Sequence, residues 1–247
     1  ETHSDNSSSK FASSHKVVRM ESMPNFANTQ MVVGVPHKLR KWWENIKMEH
    51  GAEIRRHLGF LTSLIYIPPD RHVIKALIKF WDPDRVVFKF KDFELTPTIE
   101  EIAGFTDLKF QGRGMILPHK QSGKKFLHHL GLRNNLKLDC FDREWVSLDY
   151  LYERFGRKDG HEVFHREFSC STGSWRKKRP IAFAIALLGT LVFPLEHGKI
   201  DTCISSIVRA LFQGVDNAEV TLVPMIVAEM SRALSKCARG RRFFEGC

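Results

Sequence analysis

The most recognisable chemical pattern in this chain is HEVFH at 161–165, which matches the zinc-binding arrangement H-E-x-x-H. On a helix this spacing places two imidazoles one turn apart for Zn²⁺, with the glutamate as general base. The flanking residues are charged, whereas a buried metal site needs an apolar helix, and a third ligand would have to be Glu196. We interpret the match as chance on a solvated loop over 157–174. A zinc-dependent hydrolase using His161, His165 and Glu196 is a remote alternative.

Three basic segments form the second group of candidate residues. Residues 108–138 contain no acidic residue, and they interleave phenylalanines and histidines with lysines and arginines. Such a mixture can bind a phosphate backbone and stack on bases. The other two segments are 176–179 and 239–242. The nucleic-acid-binding candidates are Lys109, Arg113, Lys120, Lys124, Lys125, Arg133, Lys137, Arg176, Lys177, Lys178, Arg179, Arg239, Arg241 and Arg242.

Each basic segment also has an explanation that needs no nucleic acid. The run 176–179 resembles a nuclear localisation patch, but it also fits a basic collar before a buried helix. Cations at 239–242 follow a predicted helix, where the dipole of the helix C-terminus favours them. No zinc-finger spacing, RNP-like strand or helix-turn-helix signature accompanies the basic residues. Any contact with nucleic acid is therefore expected to be non-specific.

Other catalytic patterns are absent from the sequence, which has no P-loop, no GxGxxG turn and no GxSxG elbow. The five cysteines form no CxxC pair, which indicates reduced thiols in a nuclear or cytoplasmic protein. The net charge of +10 favours acidic partners, although it also fits a basic soluble surface. The longest apolar run, 181–193, is shorter than the roughly 20 residues of a membrane span. We predict no enzyme activity, no metal, no cofactor and no membrane contact.

Apolar periodicity predicts a mainly α protein, a single multi-helix domain with a small antiparallel β-hairpin near residues 86–95. One helix follows Pro36 and carries Trp42 and Trp43, for which we favour burial of both. Another helix fills 181–193 after Pro180. Residues 1–30 are rich in Ser, Asn and Thr without periodicity and are predicted to be a disordered leader. No Pro/Gly/Ser linker divides 31–247, which predicts one domain.

The stretch 80–101 is predicted to join the N-terminal helices to the basic segment. A helix capped by Asp70 leads into it, Asp82-Pro83 ends that helix, and Thr96 caps the next one. Two sets of side chains are predicted to face the core: the helical stripe Val73, Ile74, Leu77, Ile78 and Trp81, and the aromatic residues Phe80, Phe88, Phe90 and Phe93. The stretch thus specifies shape and no chemistry.

Several motifs, taken in order, resemble the plant mobile domain superfamily. They are FWDP at 80–83, FKF at 88–90, ELTPTIEE at 94–101, LYERFG at 151–156, Trp175 with Arg179-Pro180, and ARGRRFFEGC at 238–247. The resemblance covers residues 31–247 and is strongest to a retroelement-associated plant branch of the superfamily. In relatives the chain continues past this point into another apolar helix, so the resemblance implies a domain truncated at its C-terminus.

What the resemblance implies is a transposon-derived module of nuclear proteins, some of which act in transposon silencing. Relatives are sometimes labelled aminotransferase-like, but this sequence shows no phosphate-binding glycine turn paired with a Schiff-base lysine. The superfamily supplies no catalytic residues to transfer. We therefore predict a non-enzymatic interaction module that is nuclear or cytoplasmic and contacts nucleic acid or chromatin-silencing partners. The alternative is a purely protein-binding structural scaffold.

Overall fold

Helices dominate the computed structural model, which describes residues 31–32, 34–118, 123–130, 144–195, 199–214, 219–241 and 243–244. The predicted leader, 1–30, lies outside these ranges. The α-helices are α1 (His37–Leu58), α2 (Arg71–Phe80), α3 (Ile99–Thr106), α4 (Gly123–His129), α5 (Leu148–Leu151), α6 (Gly160–Phe168), α7 (Thr172–Leu187), α8 (Ile204–Gln213) and α9 (Val223–Ala238). A 3₁₀ helix continues α1 over Gly59–Tyr66, and π turns extend α5 over Tyr152–Gly156 and α7 over Leu188–Val192.

The strands are short and serve mainly to tie distant segments together. They are β1 (Met31–Val32), β2 (Trp81–Asp82), β3 (Val87–Lys89), β4 (Glu94–Leu95), β5 (Gly114–Met115), β6 (Trp145–Ser147), β7 (Lys199–Asp201), β8 (Val220–Thr221) and β9 (Phe243–Phe244). In the antiparallel sheet β2–β3–β4, Phe88 pairs with both Trp81 and Leu95. The pairs β1–β9 and β5–β8 are parallel, and β6–β7 is antiparallel. The predicted mainly α fold with a small hairpin near 86–95 is confirmed.

The main core forms where α1 packs against α7. Trp42 and Trp43 are both buried, as predicted, and both contact Phe183, with ring centroids 5.6 and 5.2 Å apart. The chain at Gly156 approaches this pair so closely that an added Cβ would lie 2.9 Å from Trp42. Aromatic burial of this kind contributes much of the stability of a helical core.

Helix α7 begins earlier than the sequence predicts. It starts at Thr172, where the Ser171 hydroxyl accepts a hydrogen bond from the Ser174 N–H at 3.3 Å, and Pro180 lies inside it. Proline has no N–H to donate and normally disrupts a helix interior. Here residues 182–190 are all buried, and this packing outweighs the cost. None of the described helices, α7 included, is long and apolar enough to cross a bilayer.

Two further predictions are wrong in local structure. The region 157–174 contains α6, whose Phe164 and Phe168 are four residues apart and buried on one face. The helix α3 is capped by Thr98, because its hydroxyl accepts a hydrogen bond from the Glu101 N–H at 3.2 Å and the Glu101 carboxylate accepts one from the Thr98 N–H at 3.1 Å. This reciprocal capping box stabilises the helix start two residues after Thr96.

A second, smaller core holds α2 and the β2–β4 sheet against the body of the protein. Its buried residues are Ile78, Trp81, Ala233, Leu234, Cys237 and Phe244. Helix α9 also contributes Val223 and Ile226 to the main core, so one helix connects the two cores. The packing of the small core therefore fixes the positions of α2 and the hairpin relative to α9.

Candidate interaction surface

Helix α2 buries only Ile78 of its ten residues. It begins at Asp70, whose carboxylate accepts hydrogen bonds from the backbone N–H groups of Val73 and His72 at 3.2 and 2.8 Å. These two bonds lower the pKa of the Asp70 carboxyl group, because they stabilise its charged form. Val73 and Leu77, predicted to face the core, are instead 52 and 37% exposed.

Three stripes of side chains run along α2, because residues three or four positions apart share one face of a helix. They are Ile74 and Ile78 toward the small core, Val73, Leu77 and Phe80 toward solvent, and the exposed cations Arg71, Lys75 and Lys79. The exposed His72 and Ala76 lie between the apolar and the basic stripe on the solvent side. Helix α2 therefore offers solvent an apolar stripe on one flank and a basic stripe on the other.

The hairpin extends the apolar stripe through a series of aromatic contacts. The rings of Phe80 and Phe90 have centroids 4.8 Å apart, and Phe90 stacks on Phe93 at 4.7 Å. Phe80 and Phe93 are 43 and 54% exposed, so the prediction that they belong to the core is wrong. We call Val73, Leu77, Phe80, Phe90 and Phe93 the α2–hairpin surface.

The turn between β2 and β3 is fixed by backbone hydrogen bonds to Asp82. Its carboxylate accepts from the N–H groups of Arg85 and Asp84 at 3.1 and 3.0 Å, and these bonds lower the pKa of the Asp82 carboxyl group. Val86 then adopts a left-handed backbone with φ of 59°, which costs a branched residue about 1–2 kcal/mol. The Thr96 hydroxyl donates to the Val86 carbonyl at 3.1 Å and helps to hold this conformation.

The whole surface is anchored to α9 at two points. The Trp81 indole N–H donates to the Ser235 hydroxyl at 2.9 Å, and the Trp81 ring meets Phe88 edge-on at 4.8 Å. The guanidinium of Arg239 donates to the Asp84 carboxylate at 3.0 Å and to the Pro83 carbonyl at 3.3 Å. The surface is thus presented on a fixed platform.

The α2–hairpin surface lies inside a match to a known protein family. The model of that family, described as a domain of unknown function (DUF7745), matches residues 39–244. The chain belongs to this family. A search of curated proteins found no match, and a search of solved structures found none either.

The basic run 176–179 is divided between the interior and the surface. Arg179 is 5% exposed; its Nε donates to the Phe155 carbonyl at 3.0 Å, and its guanidinium lies over Trp175. Its Nη1 lies 3.7 Å from the Glu49 carboxylate. Burial lowers the pKa of the Arg179 side chain, because desolvation disfavours its charge. The structure therefore places Arg179 in the interior, where it cannot reach a phosphate backbone.

The other three members of the run lie closer to solvent. The Lys178 ammonium donates to the Ser174 hydroxyl at 2.5 Å, and Arg176 is exposed with its Nε 3.9 Å from Glu49. Lys177 is exposed. The collar interpretation fits Arg179 and Lys178 better than a continuous phosphate contact does.

The remaining basic candidates are spread over several elements. Lys109 and Arg241 are exposed, Lys125 is exposed on α4, and Arg113 pairs with Glu219 at 2.5 Å. The side chain of Lys124 lies outside the described part of the chain, as do Lys120, Arg133, Lys137 and Arg242. Where the structure shows partners for Arg113, Arg176, Arg179 and Arg239, each cation approaches a carboxylate.

The HEVFH segment lies on α6, with the His161 and His165 ring centroids 5.7 Å apart. The Nδ1 of His165 lies 2.9 Å from the Cys170 carbonyl oxygen; because that oxygen can only accept, the Nδ1–H donates the hydrogen bond. The Nε2 of His161 lies 3.2 Å from the Thr172 hydroxyl. Among the described residues no three His, Cys, Asp or Glu side chains are arranged to hold a metal ion, and Glu196 lies outside that set.

A cleft of about 540 Å³ opens between α1 and the loop before α6; its lining is Lys41, Asn45, Tyr152, Arg157, Lys158 and Asp159. The guanidinium of Arg157 donates to Asp159 at 2.8 and 2.5 Å and to Glu153 at 3.1 Å. The hydrogen bond from Arg157 lowers the pKa of the Asp159 carboxyl group. The lining therefore has three cations, Lys41, Arg157 and Lys158, and one carboxylate, Asp159, which Arg157 engages. We assign no reaction to the cleft.

Sequence reasoning missed the α2–hairpin surface, although one signal was present. Val73 and Ile74 are neighbours, as are Leu77 and Ile78, and neighbouring residues on a helix point about 100° apart. The four side chains therefore span an arc too wide for one narrow core contact. The same reasoning applied to Trp42 and Trp43, where neighbouring elements cover both residues.

Proposed function

We propose that this chain is a non-enzymatic protein-interaction module that binds its partner through the α2–hairpin surface. The observation that carries the proposal is the cluster of half-exposed apolar side chains at Val73, Leu77, Phe80 and Phe93. Contiguous exposed apolar patches mark protein interaction sites on soluble domains. The Trp81–Ser235 hydrogen bond supports a preformed surface, which lowers the ordering cost of binding.

A second candidate is non-specific nucleic-acid contact through the exposed cations Lys109, Lys125, Arg176 and Lys177. The net charge of +10 favours it. It has weaker support, because Arg113 and Arg239 contact carboxylates and Arg179 is buried. A salt titration with duplex and single-stranded DNA tests it, and no binding at low ionic strength would reject it.

The family description, a domain of unknown function, assigns no activity to the chain. The resemblance to the plant mobile domain superfamily stays a prediction, and with it the transposon-derived origin and the nuclear or cytoplasmic location. The proposal is compatible with that setting, because chromatin-silencing partners are proteins. A nuclear setting is not required for the proposed binding, because the exposed apolar side chains would bind a protein partner in any compartment.

The test compares partner capture by the wild-type chain, the double variant L77S/F93S and the control M48S. Met48 is an exposed apolar residue on α1, outside the α2–hairpin surface. Proteins captured from nuclear extract should remain bound to wild type and M48S, survive nuclease treatment, and be lost from L77S/F93S. An unchanged set on L77S/F93S, or loss of the set on nuclease treatment, would overturn the proposal.

A further inference from the structure

The cations of α2 lie on the solvent side of the helix, and the acidic residue nearest in sequence, Asp70, is engaged by the backbone N–H groups of His72 and Val73. The helix contains Arg71, Lys75 and Lys79 and no acidic residue. No ion pair joins these cations to any other residue that the structure describes. Spaced four positions apart, they form one exposed stripe that runs parallel to the stripe of Val73 and Leu77.

The acidic residues of the neighbouring hairpin are largely engaged elsewhere. Glu94 pairs with Arg85, and Asp84 pairs with Arg239. Asp82 accepts hydrogen bonds from the backbone of its own turn. Asp92 is the remaining carboxylate, and the exposed Lys91 lies directly beside it in sequence. The stripe on α2 therefore keeps its positive field toward solvent.

We propose that the partner of the α2–hairpin surface is an acidic amphipathic protein segment, with apolar side chains on one side and Asp or Glu on the other. This inference rests on the proposed function and adds the chemistry of the partner. The apolar side would cover Val73, Leu77 and Phe80, as amphipathic helices do when they bind a groove. The acidic side would lie against Lys75 and Lys79, where complementary charge selects the partner and speeds association. The partner would lie over His72 and Ala76, which are between the two stripes, and the small side chain of Ala76 permits close approach at that position.

Two other occupants fit the same surface less well. A second copy of this chain would bring the same surface, whose helix α2 carries cations and no carboxylate, so it would offer Lys75 and Lys79 no opposite charge. Nucleic acid would use the lysines and stack on Phe93, but it would leave the aliphatic Val73 and Leu77 without apolar contacts. Both occupants are outcomes of the test.

The test uses two designed helical peptides that share one leucine stripe and differ only in having glutamate or lysine on the flank that would lie against Lys75 and Lys79. Fluorescence anisotropy measures their binding to the full chain, to K75E/K79E and to the control K158E/K177E. The control changes the same number of charges at exposed lysines outside the surface. Circular dichroism verifies that each variant is folded.

We expect the glutamate peptide to bind wild type at least about tenfold more tightly than the lysine peptide. We expect K75E/K79E to remove or invert that preference and K158E/K177E to keep it. Equal binding of the two peptides, or no binding of either, would overturn the inference. So would tighter binding of an oligo-dT probe that K75E/K79E abolishes, or self-association of the chain that L77S/F93S abolishes.

Failure of this inference is distinguishable from failure of the proposed function. If L77S/F93S weakens both peptides equally and charge reversal has no effect, the surface still binds protein, and only the acidic partner is wrong. If L77S/F93S leaves both peptide binding and partner capture unchanged, the proposed function fails as well.

Discussion

Where α1 meets α7, Trp42 and Phe183 are completely buried, whereas on the α2–hairpin surface Phe80 and Phe93 retain about half of their exposure. Both regions are helical and both are rich in aromatic residues. The difference lies in what faces them, since α7 lies opposite α1, while the small core reaches only the Ile74 and Ile78 side of α2. An apolar stripe in the sequence therefore identifies a helix face that can be buried. Whether that face is buried in the folded protein depends on which other elements pack against it.

The sharpest way to test this comparison is to truncate one aromatic residue in each region. Phe183→Ala removes a ring that contacts both Trp42 and Trp43, and we expect it to lower the free energy of unfolding by about 3–5 kcal/mol. Phe93→Ala should cost about 1 kcal/mol or less, because the ring is half exposed. Urea denaturation measures both values. Similar losses in the two variants would break the comparison.

The basic run next to the core offers a second pair of substitutions. Arg179→Ala should lower the free energy of unfolding by about 2–3 kcal/mol, because it leaves the buried Phe155 carbonyl without its donor. Arg176→Ala should change it by no more than about 0.5 kcal/mol, since this side chain is exposed. The same urea experiment compares them. A small effect of Arg179→Ala would contradict a structural role for this residue.

The link between α9 and the hairpin has a smaller expected effect. Trp81→Phe removes the hydrogen bond to Ser235, and we expect a loss of about 1–2 kcal/mol in the free energy of unfolding. Ser235→Ala removes the same bond from the other side. Because both single substitutions remove the same hydrogen bond, the double variant should lose less free energy of unfolding than the sum of the two single losses. Additive losses would show that the two residues act independently.

The Asp82 turn provides a pH-dependent test on the exposed region. The folded-state pKa of Asp82 lies below its ordinary value of 3.8, so its contribution is present above that pH and is lost as the pH falls through the folded-state pKa. We therefore expect the stability difference between wild type and Asp82→Ala to be constant near neutral pH and to shrink in acid. Urea denaturation from neutral to acidic pH measures this stability difference. A difference that does not change with pH would contradict a stabilising role for the ionised Asp82 carboxylate.

Local signals in the sequence were sufficient to predict the fold class and many of the helix boundaries. Asp70 is a cap as predicted, since its side chain accepts backbone hydrogen bonds within the first helical turn. The hairpin also follows from local alternation and from the turn at Asp82. Such features depend on neighbours in sequence, which is why sequence reasoning finds them.

Tertiary contacts decided the features that the sequence could not supply. Helix α7 continues through Pro180 because residues 182–190 are buried on all sides. The exposure of Val73 and Leu77 depends on which segments lie opposite α2, and no local pattern carries that information. The candidate surface was therefore identifiable only from the structure, although its residues were already recognisable as apolar.

The central claim is that the α2–hairpin surface, and not the basic run on α7, receives a partner. Hydrogen–deuterium exchange of the full chain with and without the glutamate-faced peptide tests it most directly. We predict added protection within residues 71–93 and no change at 176–183. Protection at 176–183 or around Lys109 and Lys125, with residues 71–93 unchanged, would contradict the account.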